Sequence, residues 1–260
     1  MSYAIITGAS SGIGRAIAIE LARRNFNLLL VSRDEDTLDK LSEKLSSEYQ
    51  VAAKVFSIDL SKTSASQKVL EFCVNNNLEI KILINNAGFG LWGSFETRNL
   101  VDYSEMMRLN INAVVELSHL FYPILKRNSP SFIMNVASTS AFQPVPLMNV
   151  YASSKSFIWS FSTSLRNEWR KDDIFVSCLC PGGTRTNFIN RTGFRKPSIQ
   201  ESNILFMTPE SVAENSVRKM LSGKGLIIPG LINKLSYLAA RILPVAVSTY
   251  WARKVFEVKQ

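Results

Sequence analysis

Residues 4–14 read Ala4-Ile-Ile-Thr7-Gly8-Ala9-Ser10-Ser11-Gly12-Ile13-Gly14. A short apolar run breaks at a glycine-rich turn, and helical spacing then carries on from Ile13 to Arg24. A strand that passes through such a turn into a helix is a phosphate cradle. Glycine lets the backbone turn tightly and approach a ligand closely, and the helix N-terminus offers free N–H groups and a positive dipole end to a pyrophosphate. The spacing Gly-x-x-x-Gly-x-Gly departs from the common Gly-x-Gly-x-x-Gly dinucleotide fingerprint. Its place between strand and helix is what gives it meaning, with Gly8, Ser10, Ser11, Gly12, Ile13 and Gly14 as the expected cofactor contacts.

Working outward, the same alternation continues. Apolar runs at 4–7, 28–32, 53–58, 82–85, 132–137, 175–179 and 226–228 read as strands, and helical spacing fills 37–48, 102–126 and 152–170. Continuous apolar strands separated by helices imply a parallel sheet covered on both faces. The expected fold class is therefore α/β, a doubly wound sheet of about seven strands that binds ligands beyond the carboxyl ends of its strands. A chain of 260 residues suits one such domain, placed at 1–230 with a lid at 187–208, followed by an extension at 231–260.

The second strand ends Val31-Ser32-Arg33-Asp34. An acid here would bind ribose hydroxyls, whereas arginine accommodates a 2′-phosphate. Ser32 can hydrogen-bond that phosphate and Arg33 can pair with it, while Asp34 comes two positions late for the ribose. NADP(H) is favoured over NAD(H).

Tyr151 and Lys155 stand one helical turn apart in Tyr-Ala-Ser-Ser-Lys, with Ser138 upstream. Seven Tyr and fifteen Lys in 260 residues produce that spacing by chance about 0.4 times, so it counts only in company. The chemistry it would supply is proton transfer. A free tyrosine has a pKa near 10, and a neighbouring ammonium, helped by the positive charge of an oxidised nicotinamide, is expected to lower it.

Together these motifs resemble the short-chain dehydrogenase/reductase family, over nearly all of residues 3–230. Thr7-Gly8-x-x-x-Gly12-x-Gly14 matches its cofactor turn, Ile58-Asp59-Leu60 its adenine contact, and Asn85-Asn86-Ala87-Gly88 the segment beside the adenosine. Leu109-Asn110 matches the helix position of its catalytic asparagine, Ser138 and Tyr151 have its thirteen-residue separation, and Pro181-Gly182-Gly183-Thr184-Arg185-Thr186 resembles its nicotinamide loop. The resemblance implies a Rossmann fold, a catalytic set of Asn110, Ser138, Tyr151 and Lys155, and cofactor contacts from Asp59, Leu60, Asn86, Ala87, Gly88, Pro181, Gly182, Thr184 and Thr186. It also implies a homo-dimer or homo-tetramer, and carbonyl reduction with Tyr151 as general acid. The different-class alternative is an NADP-binding sensor or scaffold without turnover.

The substrate end is read from apolar residues around the tyrosine. Val145, Met148 and Phe188, with Ser138 and Tyr151, are the expected contacts, and Phe142, Pro146, Leu147, Ile189, Phe194, Ile199, Leu205, Phe206 and the Phe89–Trp92 segment add to an apolar lining. A hydrophobic small-molecule carbonyl suits such a pocket. Arg191, Arg195 and Lys196 are read as solvated lid cations.

The net charge is +9, and from Arg218 onward eight Lys or Arg face the single acid Glu257. No nucleic-acid module accompanies that charge, which excludes nucleic acid as the expected partner. The extension carries Leu231, Ile232, Leu235, Leu238, Ala239, Ile242 and Leu243 at helical spacing, flanked by Lys234 and Arg241. Burial against the domain or a twin subunit is the first reading and shallow docking on an anionic membrane the second. Without a signal segment or an apolar stretch of about 20 residues, the expected location is cytoplasmic, peripheral to the membrane on the second reading. Cys73, Cys178 and Cys180 lack metal-site spacing and read as buried side chains, and the single histidine, His119, reads as packing or surface.

Overall fold

The computed structural model describes residues 2–188, 192–193 and 206–257, without the side chains of 255 and 256. Seven strands form one parallel sheet: β1 Tyr3–Thr7, β2 Asn27–Ser32, β3 Ala53–Ser57, β4 Ile80–Asn85, β5 Ser131–Val136, β6 Ile174–Leu179 and β7 Leu226–Ile227. Their order is β3-β2-β1-β4-β5-β6-β7. The order reverses between β1 and β4, and in an open parallel sheet the crevice at such a reversal is where ligands bind.

Side-chain alternation divides the core in two. Ala4, Ile6, Leu28 and Leu30 face α1 (Gly12–Arg23), α2 (Glu35–Tyr49) and α7 (Pro209–Leu221), where Ile17, Leu21, Leu38, Leu45, Val212 and Val217 are buried. Ile5, Leu29, Leu83 and Ile133 face the other way, on to Val69 of α3 (Ala65–Asn75), Leu117 and Phe121 of α5 (Ala113–Arg127) and Leu165 of α6 (Asn149–Trp169). Strands apolar at every position are thus buried on both faces, as the sequence pattern predicts.

Two departures from that pattern have local causes. Helix α2 starts at Glu35, ahead of the expected Thr37, because Asp34 caps it: Asp34 Oδ1 accepts from Thr37 N at 3.1 Å and Oδ2 from Thr37 Oγ1 at 2.7 Å. The helix expected over 102–126 forms, but it is not α-helical throughout. It divides into α4 (Leu100–Met107) and α5 around a π-helical turn, Arg108–Asn112, that carries Asn110. Single π turns inside helices recur at functional sites.

Polar bridges fasten the middle of the sheet beneath that crevice. Asn85 Nδ2 donates to Asn135 Oδ1 at 2.9 Å across β4 and β5, and Asn135 Nδ2 donates to Ser162 Oγ of α6 at 3.0 Å. All three residues are buried. An Asn135→Ala substitution leaves buried donors and acceptors without partners, so urea denaturation should show a loss of about 2 kcal/mol. An unchanged unfolding midpoint would mean the bridges contribute nothing net.

Candidate active site

Thr7, the last residue of β1, ties the two sides of the crevice together. Its Oγ1 accepts from Asn86 N at 2.9 Å and Ala87 N at 3.0 Å and donates to Ile84 O at 3.2 Å. Asn86 returns the contact, its Nδ2 donating to Thr7 O at 2.9 Å and Gly8 O at 3.3 Å. The loop is so closely packed that a Cβ at Gly14 would run into Gly8 O and Asn86 Nδ2, and Gly8 holds φ at 67°. Helix α1 opens here with no side-chain cap and no acid in its first turn, which leaves its N–H groups to an anion. These features fit a dinucleotide pyrophosphate against Ser10, Ser11, Gly12 and Ile13. Thr186, on the Pro181–Thr186 loop, closes the far side, its Cγ2 standing 3.1 Å from where a Gly12 Cβ would be.

At the end of β2, Ser32 Oγ lies 2.9 Å from Ser10 Oγ. The Arg33 side chain is 74% exposed, with Asp59 Oδ2 at 3.9 Å. Burial pushes the Asp59 carboxyl up, but hydrogen bonds from Ser61 and the charges of Arg33 and Lys62 outweigh it and hold the group below its ordinary value. Leu60 is buried in the core beside it. Asp34, committed to its cap, leaves Ser10, Ser32 and Arg33 as the polar groups at this strand end.

The residues expected to handle the proton meet at the ends of β4 and β5. Tyr151 and Lys155 project from α6 and are 8% and 5% exposed. Lys155 Nζ donates to Val136 O at 2.9 Å and lies 5.8 Å from the Tyr151 ring centre. Asn110 clasps the β4 loop, accepting from Phe89 N at 3.1 Å and donating to Phe89 O at 2.9 Å, with Ser154 Oγ 3.1 Å from its Nδ2. A Cβ at Gly88 would stand 2.8 Å from Asn110 Oδ1 and 3.4 Å from Lys155 Nζ, so only glycine lets these groups converge. Ser138 follows β5, its Oγ accepting from Ser140 N at 3.2 Å, and it lies close enough to the Tyr151 phenol to oppose the rise in its pKa.

The electrostatics differ from the sequence expectation. Burial pushes the Tyr151 phenol up to about 12, against the opposing hydrogen bond from Ser138. Burial likewise brings Lys155 down to about 8. An ammonium next to the tyrosine was expected to acidify it, but in the chain alone desolvation dominates both groups.

On the substrate side Val145, Met148 and Tyr151 pack with Tyr103 and Met106 of α4, and Phe89, Leu91, Trp92 and Phe188 lean on that cluster. Phe188 sits 5.5 Å from the Tyr151 ring, centre to centre. Tyr103 and Met106 were not singled out in the sequence, although their three-residue spacing on an amphipathic helix was visible. Phe142 belongs elsewhere: it packs against Trp159 and Tyr237. Ile189, Phe194, Ile199, Leu205, Arg191, Arg195 and Lys196 lie outside the described residues. Cys178 and Cys180 are buried with their sulfurs 3.7 Å apart, and His119 is exposed on α5.

The family model described as short chain dehydrogenase matches residues 2–195. This chain belongs to that family. Very-long-chain 3-oxoacyl-CoA reductase-A of Danio rerio is 32% identical over 205 residues, 76% of this chain and 62% of that protein. This short-chain dehydrogenase therefore spans less than two thirds of that curated relative's length. Among solved structures, a short-chain dehydrogenase from Sphingobium yanoikuyae in complex with NADPH superposes with a TM-score of 0.82 at 28% identity, covering 100% of this chain and 97% of that one. L-Sorbose reductase from Gluconobacter frateurii, complexed with NADPH and L-sorbose, gives a TM-score of 0.79 at 26% identity over 87% and 94%. The protein thus has the Rossmann-type fold of this family.

Lys155 makes the site's burial measurable. Between about 8 and its ordinary 10.5 the unfolded chain holds a proton that the folded chain has released, so stability rises with pH through that window. Tyr151 has the opposite sign, but only above its ordinary value of 10. Lys155→Met should therefore flatten the rise between about pH 8 and 10, by at most about 1.4 kcal/mol per pH unit. Urea midpoints across that range check it; parallel curves for the two proteins would mean Lys155 is not desolvated.

Proposed function

We propose that this protein is an NADPH-dependent carbonyl reductase whose substrate is an apolar, lipid-like ketone or 3-oxoacyl compound. The observation that carries the reading is the convergence of Ser138, Tyr151, Lys155 and Asn110 at the carboxyl ends of β4 and β5, beside the Thr7–Gly14 cradle.

When bound, a reduced nicotinamide supplies the hydride that adds to the carbonyl carbon. The chain's own residues handle the oxygen. Ser138 Oγ donates a hydrogen bond to it as negative charge develops, and Tyr151 Oη gives it the proton that completes the alcohol. A phenol held near 12 by burial is fully protonated at neutral pH, and an alkoxide is still the stronger base. Tyr151 is therefore set as an acid, which suits reduction better than oxidation. Lys155 carries a positive charge beneath the ring and stabilises the phenolate left behind, and Asn110 holds the loop around it. Water reaching Lys155 past Asn110 would return the proton.

Ser10, Ser32 and Arg33 support NADPH over NADH, since two hydroxyls and a guanidinium suit a 2′-phosphate. The NADPH in the Sphingobium structure agrees with this. The substrate class rests on the apolar lining from Tyr103, Met106, Val145, Met148 and Phe188 and on the Danio rerio relative's name. A sugar reductase shares the fold, so the fold does not choose the substrate.

NADPH oxidation with ketones and 3-oxoacyl thioesters of increasing chain length tests the reading, with Tyr151→Phe as control. Turnover should rise with apolar length and fall by roughly 100- to 10,000-fold in the mutant, while NADPH affinity stays within about threefold. Tight NADPH binding with no turnover across the panel would favour the sensor or scaffold reading instead. Separately, Arg33→Ala should weaken NADPH by about tenfold or more and leave NADH nearly unchanged. Equal losses for the two cofactors would sink the phosphate assignment.

A further inference from the structure

After β7 the chain forms two consecutive helices, α8 (Leu231–Ile242) and α9 (Val245–Phe256), joined at Pro244. Helix α8 departs from one half of the first reading, burial of its stripe against the domain. Asn233 and Tyr237 face the domain. Asn233 Nδ2 donates to Pro229 O at 2.7 Å, and the Tyr237 ring packs on Phe142 with centres 4.5 Å apart. The apolar stripe faces outward: Leu231 and Ile242 are each 72% exposed, and Ile232, Leu235 and Leu238 are exposed with them. At the joint Leu243 and Val245 are exposed, and on α9 so are Tyr250 and Trp251, the latter at 63%. Burial of the stripe against the domain is therefore not what the chain adopts.

The charge around this surface is mostly positive, with Glu257 just past α9 paired to Arg253 at 3.5 Å. Neither helix contains an acid, while Lys234 and Arg241 flank the α8 stripe and Arg253 and Lys254 lie on α9. On neighbouring α7, Lys219 sits close enough to Lys234, Arg218 and Lys224 that their charges, together with burial, lower its pKa. No described helix is long and apolar enough to cross a membrane. A second copy seated symmetrically on this face would bring cation against cation. An anionic bilayer surface satisfies both halves of the pattern, taking the leucines and aromatics at its acyl boundary and the cations at its headgroups.

We propose that the outward stripe of α8, with Tyr250 and Trp251 of α9 and the flanking lysines and arginines, docks this protein in the plane of an anionic lipid bilayer. Helix α9 also walls a cleft of about 750 Å³, opposite Trp92, Pro146 and Leu147. Trp92 leans on the Tyr151 cluster, so a docked molecule would open that cleft beside lipid. Only this last point rests on the proposed reduction; the docking stands without it.

The test is flotation of the full chain with vesicles of phosphatidylcholine alone or with about 30 mol% phosphatidylglycerol at low salt, read alongside sedimentation velocity and NADPH binding. The chain should float with the anionic vesicles and not with the neutral ones. Leu235→Glu combined with Leu238→Glu should cut the bound fraction at least about tenfold, and Lys234→Glu with Lys254→Glu should do so to a similar degree. All these positions are solvent-exposed, so NADPH binding should survive and would show that the variants fold. Failure of the wild-type chain to float overturns the proposal, as does equal binding to both vesicle types. A dimer that the leucine variant splits, without flotation, overturns it in favour of self-association. Since flotation needs no substrate, its failure leaves the carbonyl-reductase reading untouched, and the reverse also holds.

Discussion

Everything at the ligand-binding edge depends on the clasp between Thr7 and Asn86. Adjacent strands β1 and β4 send their loops in opposite directions, and such a reversal opens a crevice only if the two loop bases are held at a fixed separation. Here one hydroxyl makes three hydrogen bonds and one amide makes two, all between the same loops. With those bonds made, the space beside Gly14 is filled by backbone oxygen and amide nitrogen. The glycine pattern in the sequence is thus a packing requirement first. That the same glycines also let a pyrophosphate approach follows from the closeness the clasp imposes.

The second constraint is desolvation. Lys155 is buried with a backbone carbonyl for its hydrogen bond, and Tyr151 is buried with a serine. Each group is pushed toward its neutral form, so the pair has drawn its pKa values toward neutrality for one member and away from it for the other. A positive ring bound against this pair would favour the phenolate and disfavour the ammonium, since it adds like charge to one and opposite charge to the other. That ring charge, expected from the sequence to help the lysine, has to act against the desolvation that dominates both groups.

The sheet was legible because its strands are mostly apolar and several of its turns carry glycine, and the cradle was legible because it falls between the first strand and the first helix. The capped start of α2 lies in Asp34, a residue the strand-end reading had weighed only as a ribose contact. The π turn at Arg108–Asn112 left no mark, since an inserted residue shifts a helical period by less than a short apolar pattern can show. Phe142 shows the limit of proximity in sequence. It lies nine residues before Tyr151, yet a short helical turn at Thr139–Phe142 aims it at Trp159 and Tyr237, away from the tyrosine.

Helix α8 shows a different limit. Periodicity finds an apolar stripe but cannot say which way it faces, because that depends on what the opposite face can grip. Asn233 settles it. A Cβ on Gly182 would collide with the Asn233 amide, so the helix sits directly against the Pro181–Thr186 loop through a polar side chain. A leucine stripe turned inward would have to displace that amide and lose its hydrogen bond to Pro229 O. The inner face of the helix therefore meets the loop through Asn233, and the loop expected to hold the nicotinamide is braced by the same element that presents leucines to the outside. The same inner face carries Tyr237 on to Phe142, so α8 braces both the Pro181–Thr186 loop and the short turn that follows Ser138.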